Sequence, residues 1–321
     1  MSSSANTTQQ PSLGDTEAIV WCVLFSLEAF AIVVLNTVTF AVFVSYKPLQ
    51  RHSSIQLTNL AINDILVGLI PVTGWVYYIG ARSKFWTDKI SLLPISIVYS
   101  SIDIGAGVGS MANHGCIAVE RLLATLWPFK YKREKRKINF CLILLPWLCA
   151  LLIPTLSQAG FHVLKSPIFA FFVWMPFLTL LLFVIIISYY FLLTRMRAIK
   201  RDLRQNADHR HRLRDQRFTI TALIVTIASL FTWLPFIIIS TVNLIIYVNY
   251  MLDIVNLFKF LHFLNSLVNP IVYWFRIPHF KAAVYGLWFD RCPRHRAEIL
   301  SAPGISSSDP KPTLTFAETR L

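Results

Sequence analysis

Seven long apolar runs, separated by short polar or cationic stretches, organise this chain. They cover about 18–46, 54–80, 90–125, 138–161, 167–194, 218–247 and 252–275. Each exceeds the ~18 residues that separate a membrane span from a buried core helix. The pattern predicts an all-α membrane protein, a seven-transmembrane helix bundle over 18–275. A polar stretch, 1–17, precedes it. After the last run Phe280, Val284, Leu287 and Trp288 recur at helical spacing beside Lys281 and Arg291. That spacing predicts a short amphipathic eighth helix over 276–292, lying in the interface, with a polar tail over 293–321.

The third run carries the most informative polar positions. Asp103 and Arg121 stand eighteen residues apart, five helical turns, so they share one face at about 27 Å axial separation. Ser110 falls on the same stripe. A polar stripe as long as a bilayer core is thick suggests a device connecting the two sides of a membrane.

Composition supports the membrane reading. The 321 residues are 55% hydrophobic and 14% charged, against about 25% charged for soluble domains. The net charge of +14 does not point to nucleic acid, because apolar runs far too long for a soluble binder interrupt the basic residues. With the N-terminus outside, Arg82, Lys84, Lys89, Lys165 and Lys259 fall on or near the outer side, and the other 25 of the 30 Lys and Arg fall inside. That bias fits the positive-inside rule and predicts an N-out, C-in topology in the cell membrane. The first seventeen residues lack a signal-peptide apolar region, so span one is expected to act as its own anchor. Asn6-Thr7-Thr8 is a glycosylation acceptor on the outer side. Of the five cysteines, four sit in or at the ends of spans and Cys292 in the tail, which excludes an outer disulfide framework.

Several spans carry polar residues inside. Glu28 is expected near the outer interface, hydrogen-bonded or protonated, and Asn36 is expected to cross-link helices through its amide. Asn36, Asp64, Ser110, Asn265, Ser266 and Asn269, with His114 near, form one expected cluster. A carboxylate among hydroxyls and amides at mid-bilayer suits a small hard cation, a proton or a water network.

Leu60-Ala61-x-x-Asp64, Glu120-Arg121, Trp147, Trp233-Leu234-Pro235 and Asn269-Pro270-Ile271-Val272-Tyr273 fall, in order, on spans two, three, four, six and seven. Together they resemble the marks of rhodopsin-like (class A) G protein-coupled receptors across nearly the whole chain. The resemblance implies that Asp64, Ser110, Asn265, Ser266 and Asn269 form a pocket for an allosteric sodium ion; no other cofactor is implied. It implies that Arg121 pairs with Glu120 at rest and meets a heterotrimeric G protein when active. Asp215 stands where the family often places a second acid that locks the arginine, and Phe129 would offer the G protein an apolar plug. Asn269, Pro270 and Tyr273 would belong to the switch.

The chain departs from the family at several points. Leu122 replaces the usual tyrosine after the arginine, Val184 another tyrosine, and Ser229 a switch phenylalanine. Ser96 stands where a lid-pinning cysteine is expected, and spans four and five are joined by only about GFHVLKSP. The entrance is therefore expected to be more open than usual, or differently covered.

Asp103 is expected to face a pocket with Trp233, Phe236, Phe260 and Phe263, with Gly105 and Gly107 leaving room beside it. A buried carboxylate needs a cation. Amine receptors carry an aspartate here, so a small extracellular amine or other cation is the leading expectation, with aromatic walls adding cation–π attraction. Lys259 instead offers an internal partner, and no serine in the upper part of span five suits a catechol. A lipid- or peptide-responsive receptor is the alternative within the fold. An opsin would need its lysine at Phe263, a full turn from Lys259. A transporter lacks the expected repeat, and a zinc hydrolase lacks ligand partners for His114 and His262; the protein is not expected to be an enzyme. In the tail, Cys292 is a palmitoylation candidate, and Ser306–Ser308, Thr313, Thr315 and Thr319 are phosphorylation candidates. Arrestin, a PDZ-domain protein at Thr319-Arg320-Leu321 and membrane lipid at the basic stretches are further expected partners.

Overall fold

The computed structural model describes residues 14–46, 54–89, 95–163, 165, 167–202, 209–246, 252–277 and 280–289. The described residues form seven long helices and a short eighth. They are α1 (Asp15–Ser45), α2 (Ser54–Val67, continued through Gly68–Val72 and Thr73–Arg82), α3 (Ile95–Leu126) and α4 (Pro128–His162). Then come α5 (Pro167–Asp202), α6 (His209–Ile246), α7 (Leu252–Arg276) and α8 (Phe280–Phe289). α1 to α6 are each long and apolar enough to cross a membrane. α7 has 25 residues, the length of a span, but carries Asp253, Lys259 and Arg276.

Exposure in this bundle runs opposite to that of a soluble one. Phe30, Leu151, Phe231 and Phe275 stand on the outside, while Asn36, Asp64, His114 and Asn269 are fully buried. Lipid is the solvent that this arrangement fits, and polar groups are sequestered where protein partners can satisfy them. The chain is a multi-pass membrane protein.

The cationic stretch 126–137 separates the third and fourth apolar runs. It is helical: a single non-helical residue, Trp127, separates α3 from α4, and Pro128 opens α4 at the position where a missing N–H costs nothing. Lys, Arg and Glu are good helix formers, so the charge of 130–137 does not oppose a helix. In α2, Pro71 cannot donate an i→i−4 bond, and the helix widens into a π turn over Gly68–Val72. Tyr99 of α3 donates its hydroxyl to the Pro71 carbonyl at 2.9 Å, fastening α2 to α3 one turn above Asp103.

Two glycines were expected to leave room beside Asp103; both spaces are filled. A Cβ on Gly105 would lie 2.5 Å from the Ala150 carbonyl oxygen, so α4 packs its backbone directly on α3 there. A Cβ on Gly107 would lie 2.6 Å from Cη2 of Trp233, so that indole occupies the notch. At the other end α8 docks through Phe280, whose ring meets Phe43 at 5.8 Å and Tyr273 at 6.4 Å. Asn6 and Cys292 lie outside the described residues, as do the side chains of Asp215 and Phe236.

Candidate functional site

One face of α3 carries three polar stations. At the first, Lys259 of α7 donates to Asp103 Oδ2 at 2.6 Å. The pair is largely enclosed, with side-chain exposures of 18% for Asp103 and 4% for Lys259. The ammonium also lies 4.8 Å from the Phe263 ring centroid and 5.4 Å from that of Trp75, where the aromatic faces add attraction. Asp103 is thus neutralised from within. Its other oxygen, Oδ1, is buried without a hydrogen bond.

Beside the pair lies a small cavity lined by Asp103, Gly107, Ser110, Trp233, His262 and Phe263, among others. Of the expected pocket residues the structure therefore brings together Asp103, Gly107, Trp233, Lys259 and Phe263. Phe260 is a correction: its ring turns to α1 and meets Phe25 edge-on at 5.7 Å. Trp233 rests edge-on against His262 at 4.2 Å, an aromatic contact between α6 and α7.

Above this pair, α7 is pinned twice more. Trp21 of α1 donates to Asp253 at 2.7 Å, and Trp75 of α2 donates to Asn256 at 3.1 Å. Asp253, Asn256 and Lys259 recur every three residues, so one edge of α7 is bonded in turn to α1, α2 and α3. That recurrence is visible in the sequence, but its partners are not.

The second station is the mid-bundle cluster. Ser266 and Asn269 donate to the two oxygens of Asp64, each at 2.7 Å, and Asn265 donates to Ser110 Oγ at 3.0 Å. Oδ1 of Asn265 and Oδ1 of Asn269 are buried without partners. Asn36 donates to the carbonyls of Ile32 and Ser266, which makes it the α1–α7 cross-link expected of it. His114 is a correction. It lies not at this cluster but against α6, with Nε2 2.8 Å from Ser229 Oγ. Ser229 gives its single hydroxyl proton to the Val225 carbonyl, so the imidazole Nε2–H is the donor to Ser229. Glu28 is buried with neither carboxyl oxygen hydrogen-bonded, contrary to the bonded alternative expected for it.

The third station is Glu120–Arg121. Both are buried, and the guanidinium reaches Glu120 Oε2 at 3.4 Å. Tyr131 of α4 donates to Glu120 Oε1 at 2.6 Å. A second small cavity, lined by Gln56, Glu120, Arg121 and Thr221, opens beside them. Phe129 protrudes, 88% exposed. Pro270 is buried within α7, and the phenol of Tyr273 is buried without a hydrogen bond.

The sequence reading missed further buried bonds. Trp147 donates to Asn59, which donates to Asn113, joining α4, α2 and α3. Tyr189 of α5 pairs with Thr226 of α6 at 3.1 Å. Asn59, Asn113 and Thr226 are polar residues set in apolar runs, the signal that could have flagged them.

The profile of the family described as 7 transmembrane receptor (rhodopsin family) matches residues 35–166 and 155–273. Tachykinin-like peptides receptor 86C of Drosophila melanogaster is 20% identical over 82% of this chain and 57% of its own length. Lysophosphatidic acid receptor 6 of Mus musculus is 25% identical over 42% of the chain and 38% of its own. Neuropeptide FF receptor 2 of Rattus norvegicus is 31% identical over 42% of the chain and 31% of its own. The chain thus spans little more than half the length of the first relative and less of the others.

Proposed function

The chain belongs to the rhodopsin family of seven-transmembrane receptors, and we propose that it converts binding of an extracellular ligand at Asp103 into nucleotide exchange on a heterotrimeric G protein at Arg121. The observation that carries this reading is the single helix α3. It holds a cross-helix ion pair at one end and a buried arginine at the other, about 27 Å apart. The arrangement calls for the N-terminus outside, as the distribution of Lys and Arg suggests.

The cationic-ligand reading rests on Asp103 and its unpartnered Oδ1. A ligand cation would meet that oxygen or displace Lys259 from its neighbour. The relatives' names favour a peptide or a lysophosphatidic acid ligand over a simple amine. A peptide carrying a cationic group satisfies both considerations. A lipid phosphate would engage Lys259 instead.

Asp64, Ser110, Asn265, Ser266 and Asn269 are the residues that would hold a sodium ion. Orphaned carbonyl oxygens on Asn265 and Asn269, beside a carboxylate and two hydroxyls, make a hard-oxygen donor set that fits one. When bound, the ion would supply positive charge next to Asp64.

For transduction, α6 must part from α3. Ligand-driven movement of Trp233 against Gly107 and His262 would be felt one turn away at Ser229, and so at His114. Arg121 would then exchange Glu120 for the G protein, and the protruding Phe129 would offer it an apolar contact. The test is guanine-nucleotide exchange by the purified chain in lipid discs against a panel of heterotrimers, with an Asp215→Ala variant alongside. Exchange above the protein-free rate supports the reading; silence of both forms against every heterotrimer contradicts it.

A further inference from the structure

We infer that the ligand of this pocket is a zwitterion: a primary ammonium with a carboxylate or phosphate a few bonds away. The inference rests on the pocket of the proposed receptor and goes beyond it in naming the chemistry. Lys259 and Asp103 already neutralise each other at 2.6 Å, and Asp103 is the only carboxylate among the described residues lining the cavity. Asp64 lies behind Ser266, with both oxygens occupied by Ser266 and Asn269. A monocation that joined Asp103 would set two cations, its own and Lys259, against one carboxylate. A monoanion that took Lys259 would strand the carboxylate instead. Uncompensated charge away from water is the costly outcome in both cases. A ligand that carries both signs leaves every charge matched: its ammonium on Asp103 and its anion on Lys259.

The polar groups around the cavity narrow the cation further. The cavity lining offers Asp103 Oδ1 and Trp233 Nε1, both buried without hydrogen bonds. The carboxylate oxygen accepts and suits an N–H of an ammonium; the indole N–H is left for a ligand oxygen. A trimethylammonium has no N–H to donate to that carboxylate oxygen. The shared chemistry occurs in free amino acids and in the ethanolamine headgroup of a lysophospholipid.

The test uses the full chain in discs of phosphatidylcholine and phosphatidylglycerol, reading the ligand-induced rise in Tm without any G protein. One set of probes is free α- and ω-amino acids and lysophosphatidylethanolamine. The other is their methyl esters, N-acetyl derivatives and trimethylated counterparts, including lysophosphatidylcholine. At least one primary-ammonium zwitterion raises Tm, and its ester, N-acetyl and trimethyl forms do not. Its apparent affinity falls about tenfold or more in Asp103→Asn and again in Lys259→Met. An amino acid or the lysophospholipid as the responding probe identifies the source. If a single-charge variant does not fold, Asp103→Asn/Lys259→Met strands no charge and must abolish the shift. An ester that equals its parent and gains affinity in Lys259→Met would overturn the inference in favour of a plain cation site. An N-acetyl form that gains in Asp103→Asn would overturn it in favour of an anion site. No shift with any zwitterion overturns it outright. A Tm rise in a chain that never drives nucleotide exchange would leave the inference standing and remove the signalling role.

Discussion

The two ends of α3 hold their charges by different means. At one end Asp103 reaches across 156 positions of sequence to Lys259 at 2.6 Å, and the bond joins two helices. At the other, Glu120 and Arg121 are sequence neighbours at 3.4 Å, and their bond joins nothing to α6. Glu120 is instead braced from α4 by Tyr131. The first pair clamps the bundle. The second stores a guanidinium beside a cavity, ready for another partner. Among the described residues the polar link between α3 and α6 is His114–Ser229, in the middle of the bundle. Resistance to parting these helices therefore lies between the two stations.

The contrast can be broken most forcefully at the clamp. Lys259→Met strands Asp103 in a mostly enclosed site, and the loss of stability should reach about 3 kcal/mol, read as a large fall in Tm. Asp103→Asn/Lys259→Met should recover most of it, because no charge is left unmatched. A double variant as unstable as the single would mean that the packing of Lys259 on Trp75 and Phe263, not the charge, holds α7. At the opposite end Tyr131→Phe removes one bond to a buried carboxylate, worth about 2 kcal/mol, and should raise basal nucleotide exchange. If exchange stays unchanged, Tyr131 braces α4 without restraining Arg121. Ser229→Ala takes away the acceptor of His114, at about 1 kcal/mol of stability, while leaving both charged ends intact. The smallest effect belongs to the exposed Arg133–Glu134 pair, where Arg133→Ala should move Tm by less than about 0.5 kcal/mol equivalent.

The bundle was legible because lipid imposes a strong pattern: each span is an unbroken apolar run, and the described helices begin and end close to those runs. The exceptions are 128–137, 195–202 and 209–217, where α4, α5 and α6 run on beyond the apolar pattern because Lys and Arg also favour helices. The site was legible in so far as helical periodicity placed Asp103, Ser110 and Arg121 on one face. Lys259 was recognised as a rival partner for Asp103 because its height on α7 could be counted. Partners that depend on rotation about a helix axis were not countable. Phe260 and Phe263 differ by three residues and both meet Phe25 of α1, yet of the two Phe263 alone lines the pocket. His114 was grouped with the Asp64 cluster by height alone, and its bond to Ser229 spans 115 positions. Ser229 drew notice only for what it replaced.

The most direct test of coupling along α3 is the basal rate of GDP release from a panel of heterotrimeric G proteins, measured with wild type and Ser229→Ala in matched lipid discs. Loosening the only described polar bond between α3 and α6 should speed release severalfold for at least one heterotrimer, with both charged stations untouched. Identical rates in the two proteins, in a heterotrimer that wild type does engage, would contradict the account.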